Sequence, residues 1–448
     1  MSRDVDQSDT PILQDEEELV TFFKASEKSP EYFRVGAETE RVLFAKDTLA
    51  PIPYEGGIRP LLEGMTQKGW SMEPLGLHKD GMSVSLEPGG QLELAGRPVT
   101  HSDDTRAEVD TFNREILDVC EPLGIGVSSL GMRPFSRVSD ACWMPRERYR
   151  GMRTYLDAQG QCGHHMMVMT ATIQANYDFE SEADMVRKMR VGMGASPIVA
   201  ALFANSPYGP DGWTGYRSRR CAIWFHVDPE RCGLLPMVYE EDFGFRKYLD
   251  YILDIPMFFL QRGAVFHDVE RLTFRKFLHE GFNGEKATLA DFETHLSTIF
   301  PEVRLKRFIE VRSADGGPAE MAAALAALWK GLFYDPTSLA AADALLKDFS
   351  MPQRLQMQQC AAQDALKGHG KGFHMGELAK ELVKLGSEGL KRLSVGVGDE
   401  SHHLAPLEDI ANSGETLADK LLAKFGAGPL DEKARRSIMQ ETSIDAAS

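Results

Sequence analysis

Apolar and polar positions alternate with a period of two in several stretches of the chain, and residues two apart on a strand share a face. In Val35-Gly-Ala-Glu38-Thr-Glu40-Arg41 this puts Glu38 and Glu40 on one face and Ala37 on the other. In Ser83–Leu94 it puts Gln91 and Glu93 together above Leu92 and Leu94, with Glu87-Pro-Gly-Gly as a tight turn, so an antiparallel hairpin is predicted. Ile125–Leu130 reads as a further strand. Met166–Phe179 alternates as well, setting Thr172, Gln174, Asn176 and Asp178 against Ile173, Ala175 and Tyr177. Arg304–Arg312 reads as one strand with Lys306, Glu310 and Arg312 on one face and Ile309 and Val311 on the other. Arg219-Arg220 leads Ile223-Trp224 in another strand-like run.

Elsewhere the period is helical. A short helix is predicted at Glu16–Phe23. A longer one opens at Ser102, with Val109, Phe112, Ile116 and Cys120 on its apolar side. Ser181 caps the next, with Asp184 at its third position and Met185, Met189 and Met193 as a core stripe. Ile198–Ala204 reads as core helix. Gly192-Met-Gly194 and Gly368–Gly372 lack the strand–helix setting of a nucleotide loop and read as turns or helix breaks. Beyond Pro318 the pattern is helical almost without break, at Pro318–Phe333, Thr337–Phe349, Gln353–Lys367 and Glu377–Leu393, with a polar loop at Gly396–His403 and a frayed end at Lys433–Ser448. The expectation is an α+β chain: an acidic tail and short helix at 1–30, an antiparallel-sheet core at 31–335 and a helical region at 336–448 packed on that core.

Composition narrows the function classes. The 448 residues carry 50 basic and 67 acidic side chains, a formal charge of −17, which argues against an extended nucleic-acid surface. No apolar run approaches the roughly 18 residues of a membrane span. The N-terminus is acidic, without a basic apolar signal or an Arg-rich transit pattern, so a cytoplasmic address is expected. The six cysteines are scattered without a C-x-x-C pair, which predicts free thiols and no zinc cluster. His164-His165 and His402-His403 are expected to diverge as neighbours do, and so to be ordinary polar histidines.

The acidic strands carry the chemistry. Carboxylates gathered on one sheet face repel one another unless cations intervene, and hard divalent ions with oxygen ligands answer that need. Lys306, Arg312 and Arg220 accompany them, and no G-x-x-x-x-G-K-[ST] loop is present. Carboxylates for metal with arginines for phosphate and substrate carboxylate describe a phosphoryl-transfer site.

Longer phrases carry a resemblance: Gly36-Ala-Glu38-Thr-Glu40, Ser85-Leu-Glu-Pro-Gly-Gly-Gln-Leu-Glu-Leu94, Thr172-Ile-Gln-Ala-Asn-Tyr-Asp-Phe179, Ser181-Glu-Ala-Asp-Met185, Ala201-Leu-Phe-Ala-Asn-Ser-Pro207, Phe300-Pro-Glu-Val-Arg-Leu-Lys-Arg307 and Glu310-Val-Arg-Ser-Ala-Asp-Gly-Gly-Pro318. From about Val35 to Leu422 the chain resembles the plant-type glutamate–cysteine ligases, also found in proteobacteria. The resemblance implies a glutamine-synthetase-like antiparallel sheet bent into a funnel, with flanking helices. It implies an ATP-dependent ligation of L-glutamate and L-cysteine to γ-glutamylcysteine through a γ-glutamyl phosphate, the first step of glutathione synthesis. It also implies two or three Mg²⁺ ions, with Mn²⁺ as the substitute, and a monomer or homodimer without nucleic-acid or membrane partners. Glu38, Glu40, Glu87, Glu93, Gln174 and Glu310 are the metal ligands it points to. Arg312, Glu310 and Glu93 take the catalytic roles, Arg312 and Lys306 the nucleotide, and Arg220, Trp224, Arg153 and Asn176 the substrate. One departure stands out: Val265–Leu272 and onward to Gly284 holds no cysteine, so the redox pair of plant members is not expected here.

A related carboxylate–amine ligase joining glutamate to another amine stays open on the residues alone, and so do two readings of other kinds. One is a guanidino-kinase-like phosphotransferase that makes no peptide bond. The other is a non-catalytic metal or nucleotide binder, which would not need a phosphate arginine beside a carboxylate clamp.

Overall fold

Val35–Ala45 forms an eleven-residue strand, β1, with all but two of its residues buried. It lies inside a nine-stranded sheet in the computed structural model, which describes residues 10–73, 76–159, 162–263, 265–395 and 398–444. The other strands are β2 (Ser71–Glu73), β3 (Gly76–Lys79), β4 (Met82–Leu86), β5 (Leu92–Ala95), β6 (Ile125–Ser128), β7 (Thr172–Tyr177), β8 (Val303–Leu305) and β9 (Ile309–Asp315). Their order is β8-β9-β7-β1-β5-β4-β3-β2, with β6 paired to the far end of β1, and every pairing is antiparallel. The hairpin expected around Glu87-Pro-Gly-Gly is β4–β5, and Gly90 takes the left-handed backbone (φ 78°) that its turn requires.

The apolar sheet face is covered by helices Glu182–Leu202 and Ala319–Tyr334, the second of which also packs on helix Ser102–Cys120. Met185, Met189 and Met193 are fully buried in this layer, as the stripe predicted. Ser181 caps the helix by accepting from the Asp184 N–H. Helices Pro336–Leu346, Met351–Gln363 and Met375–Leu393 follow, and one continuous apolar core runs through them and the sheet. No helix among the described residues is long and apolar enough to cross a membrane.

Several expectations are corrected. Arg304–Arg312 is a hairpin, because the chain turns at Lys306–Phe308 and pairs Arg304 with Glu310. Arg219–Trp224 is a helix, capped by Ser218, which accepts from the Cys221 N–H. Met166–Met169 belongs to helix Gly163–Met169, so the strand begins only at Thr172. Gly192 and Gly194 lie inside a helix. A Cβ on Gly192 would stand 3.0 Å from Val303, and one on Gly194 2.9 Å from the Arg354 guanidinium, so they permit close packing rather than a turn. Ser401–Leu404 forms a helical turn within the expected polar loop, of which Gly396 and Val397 lie outside the described residues. Glu432–Glu441 is a helix anchored by buried Ile438 and Met439 rather than a frayed end. Of the N-terminal tail, residues 1–9 lie outside the described residues.

Candidate active site

The register of five strands sets the polar side chains in a diagonal row across the sheet. Glu93 on β5 is the partner of Glu40 on β1. Two residues along β1, Glu38 is the partner of Gln174 on β7. Two residues along β7, Asn176 is the partner of Glu310 on β9, which in turn faces Arg304 on β8. The period-two rule puts all of these on one face, and the antiparallel ladder brings them side by side. Asn176 Nδ2 donates to Glu38 Oε1 at 2.9 Å, fixing that carboxylate.

At the β9 end the row becomes cationic. Arg304 and Arg312 both donate to Glu310 Oε2, at 2.7 and 2.8 Å, and Lys306 Nζ donates to Oε1 at 3.2 Å. Arg312 also donates to Gln174 Oε1 at 2.6 Å, tying this cluster to the carboxylate row. Burial would raise the Glu310 carboxyl, but Arg304, Lys306 and Arg312 hold it well below the ordinary range.

Arg220 arrives from a different element. Asp315, at the end of β9, accepts from the Ser218 hydroxyl at 2.8 Å, the Ser206 hydroxyl at 2.7 Å and the Asn205 N–H at 2.9 Å. Ser218 caps helix Arg219–Trp224, so the strand end sets where the helix starts and where Arg220 points. The Arg220 guanidinium donates to the carbonyls of Arg312 and Ser313 and stands 5.9 Å from the centroid of Trp224.

These groups line a cleft of ≈ 720 Å³, counted with its open mouth. Glu40, Glu87 and Glu93 supply its acidic wall, and Arg148, Arg220, Arg304 and Arg312 its basic one. The acidic wall is under electrostatic strain. Glu40 is pushed up to about 8, by burial first and then by Glu87. Glu93 is raised well above its ordinary value, again by burial first and then by Glu38, Glu87 and Glu40. Hard oxygen donors crowded in this way suit a divalent cation, whose charge would let both carboxyls ionise.

Most of the expected site residues meet here. Glu40, Glu87, Glu93, Gln174, Arg220, Trp224 and Arg312 line the cleft, while Glu38, Asn176, Lys306 and Glu310 belong to the row or cluster beside it. Arg153 does not belong to it: its side chain is exposed and stacks on Trp143, with Cζ 4.5 Å from the ring. Arg148, five residues earlier on the same helix, is buried and lines the cleft instead. The Arg-rich run 146–153 carries that signal, but only the helix phase tells which arginine faces inward. Of the expected ligands, two are already engaged: both Glu310 oxygens accept from cationic side chains, and the Gln174 amide oxygen accepts from Arg312. Two further residues were missed. Arg304 was hidden by reading its hairpin as one strand. Glu302, half-buried and with its carboxyl raised by desolvation, accepts from Gln358 at 3.1 Å close to Arg220 and Arg312.

Comparison with known proteins identifies the family. The model of glutamate–cysteine ligase family 2 matches residues 34–444. The chain is 39% identical over 431 residues to the chloroplastic glutamate–cysteine ligase A of Oryza sativa subsp. japonica, covering 94% of this chain and 86% of the relative. It is 40% identical over 418 residues to the chloroplastic glutamate–cysteine ligase of Nicotiana tabacum, covering 91% and 79%. In fold it is similar to a glutamate–cysteine ligase of Francisella tularensis solved in complex with AMP, with a TM-score of 0.58 at 12% identity over 92% of this chain and 87% of that one. The expected cytoplasmic address is overturned by the rice and tobacco relatives, which are named as chloroplastic enzymes.

Proposed function

The chain belongs to glutamate–cysteine ligase family 2 and is an ATP-dependent ligase of glutamate and cysteine in glutathione synthesis, and we propose that the diagonal carboxylate row and its facing arginines are the machinery of that reaction. The observation that carries the reading is the register: Glu93–Glu40 and Glu38–Gln174 are locked side by side, opposite a wall of guanidinium groups.

Glu38, Glu40, Glu87 and Glu93 offer oxygen donors that fit Mg²⁺ or Mn²⁺, while the Gln174 amide oxygen already accepts from Arg312. Bound there, such ions would neutralise triphosphate oxygens and supply Lewis-acid stabilisation to the transferring phosphoryl group. Glu310 shapes the cationic wall instead, orienting Arg304, Lys306 and Arg312.

The glutamate γ-carboxylate is a poor acyl donor, because an amine cannot displace its oxide. Attack of a γ-carboxylate oxygen on the ATP γ-phosphorus releases ADP and makes an acyl phosphate. The cysteine amine then attacks the acyl carbon, phosphate leaves with the C–O bond electrons, and the ammonium proton is lost. Arg312, fixed by Glu310 and Gln174, meets the transferred phosphoryl group. Arg220 receives the α-carboxylate of glutamate with a guanidinium held in place by two backbone carbonyls. Trp224, against Arg220 and Phe300, lines that side of the cleft with an apolar ring that excludes water.

Glutamate labelled with ¹⁸O in its γ-carboxylate tests the sequence of steps. With ATP, Mg²⁺ and cysteine, one labelled oxygen should appear in each phosphate released. Unlabelled phosphate would remove the acyl-phosphate reading.

A further inference from the structure

The rings of His402 and His403 do not diverge. Their centroids stand 4.1 Å apart, and both turn to one carboxylate: His402 Nε2 lies 3.3 Å and His403 Nε2 2.8 Å from Asp103 Oδ1. Asp103 sits in the first turn of helix Ser102–Cys120, and the histidines in the helical turn Ser401–Leu404. The two segments are held together by a buried neighbour. Glu400 accepts from the Ser102 N–H at 2.7 Å and pairs with Lys330. None of the three lines the catalytic cleft.

The hydrogen bonding of His402 leaves a conflict. Its Nδ1 lies 2.9 Å from the Asp399 carbonyl, which can only accept, so Nδ1 carries the proton. In the neutral ring Nε2 then presents a lone pair to an oxygen that presents lone pairs of its own. A cation between them, either a proton or a metal ion, resolves the conflict. An Nδ1–H donated to a backbone carbonyl, leaving Nε2 bare, is also how metal-binding histidines are oriented.

We propose that Asp103, His402 and His403 form a second cation site, of two imidazoles and one carboxylate, that takes a borderline transition-metal ion, Zn²⁺ foremost, and staples the C-terminal helices to the start of helix Ser102–Cys120. Tetrahedral zinc with ligands at about 2.0–2.1 Å sets ligand atoms roughly 3.3 Å apart. The His402–Asp103 separation of 3.3 Å already matches, and the 2.8 Å of His403 needs to open by only a few tenths of an ångström. Metal at His403 Nε2 requires that ring's proton to sit on Nδ1 or to leave to solvent. Mg²⁺, which prefers oxygen ligands, does not compete well for two imidazoles.

The test uses untagged, chelator-stripped full-length protein in saturating Mg²⁺, titrated with Zn²⁺ by calorimetry and with Co²⁺ by its visible absorption. Wild type should show one transition-metal site that Asp103→Asn, His402→Gln and the His402→Gln/His403→Gln double variant each weaken by at least about tenfold. Zn²⁺ should raise the Tm of wild type alone, and ligase activity measured with Mg²⁺ should be unchanged in all three. Equal Zn²⁺ affinity in wild type and double variant would overturn the proposal, and so would wild type that binds none, since a proton would then bridge His402 and Asp103. Should Asp103→Asn lose its fold, His402→Gln decides alone, because that ring is mostly exposed.

Discussion

Glu40 and Glu93 are register partners on neighbouring strands, and both carboxyls stand above their ordinary pKa in the same buried wall. Two carboxylates paired across strands destabilise the ladder that holds them. On the proposed reading their placement serves a cation rather than the fold.

Glu40→Gln and Glu93→Gln separate these two roles. Each should lower kcat by at least ~100-fold, the scale of a lost electrostatic contact in a transition state. In chelator each should melt at or above the wild-type Tm, since a like-charge neighbour has gone. Steady-state ADP release and thermal melts of the same preparations check both halves.

Glu310→Gln should behave in the opposite way. Buried Arg304, and the partly buried Lys306 and Arg312 beside it, would lose the carboxylate that compensates their charge. Removing one partner of such a network costs about 3–5 kcal/mol. Urea unfolding in chelator should show that loss for Glu310→Gln and not for Glu40→Gln; equal stability of the two would move Glu310 back among metal ligands.

Arg220→Lys should raise the KM for glutamate more than that for ATP, because lysine keeps the charge and loses the fork that matches a carboxylate. A change confined to the ATP KM would assign Arg220 to the nucleotide.

Much of this was legible in the sequence where period and burial agree. In β1, β5 and β7 the polar face is the site and the apolar face is the core, so alternation alone finds Glu38, Glu40, Glu93 and Gln174. Pairing was less legible. Arg304 faces Glu310 only because the chain reverses at Lys306–Phe308, and a run of mixed charges carries no clear turn residue to announce it. Arg219–Trp224 misled because four of its six residues are buried, which leaves neither period visible. His402 and His403 misled for a third reason: adjacency predicts divergence, but hydrogen bonds to Asp399 and Asp103 turn the two rings together.

Acid should weaken the fold through His295. This fully buried imidazole bonds through Nε2 to the Ile252 carbonyl at 2.9 Å, and burial holds its pKa down at about 4, against an ordinary 6.5. A histidine depressed in the folded state contributes stability that is present above pH 6.5 and lost as pH falls toward 4. The whole contribution is about 3 kcal/mol. Urea midpoints at pH 7 and pH 4.5 should converge in His295→Gln relative to wild type; identical pH slopes would contradict this.

Oxidation should leave activity nearly unchanged. Hairpin strands Leu260–Arg262 and Val265–His267 carry no thiol, and burial raises Cys120 and Cys232 to about 12 and also lifts Cys162, Cys221 and Cys360. Thiols held protonated react slowly. Specific activity and elution volume in dithiothreitol and in oxidised glutathione should agree. A reversible several-fold change, abolished by replacing one cysteine pair, would show a disulfide switch.

Mn²⁺ binding followed by electron paramagnetic resonance tests the cation site most directly, in wild type and in the Glu40→Gln/Glu93→Gln double variant, each with glutamate and a non-hydrolysable ATP analogue. The carboxylate row as metal seat predicts tightly bound Mn²⁺ in wild type and at least about tenfold weaker binding in the double variant, with an unchanged near-ultraviolet circular dichroism spectrum. Equal Mn²⁺ affinity in the two proteins would contradict it.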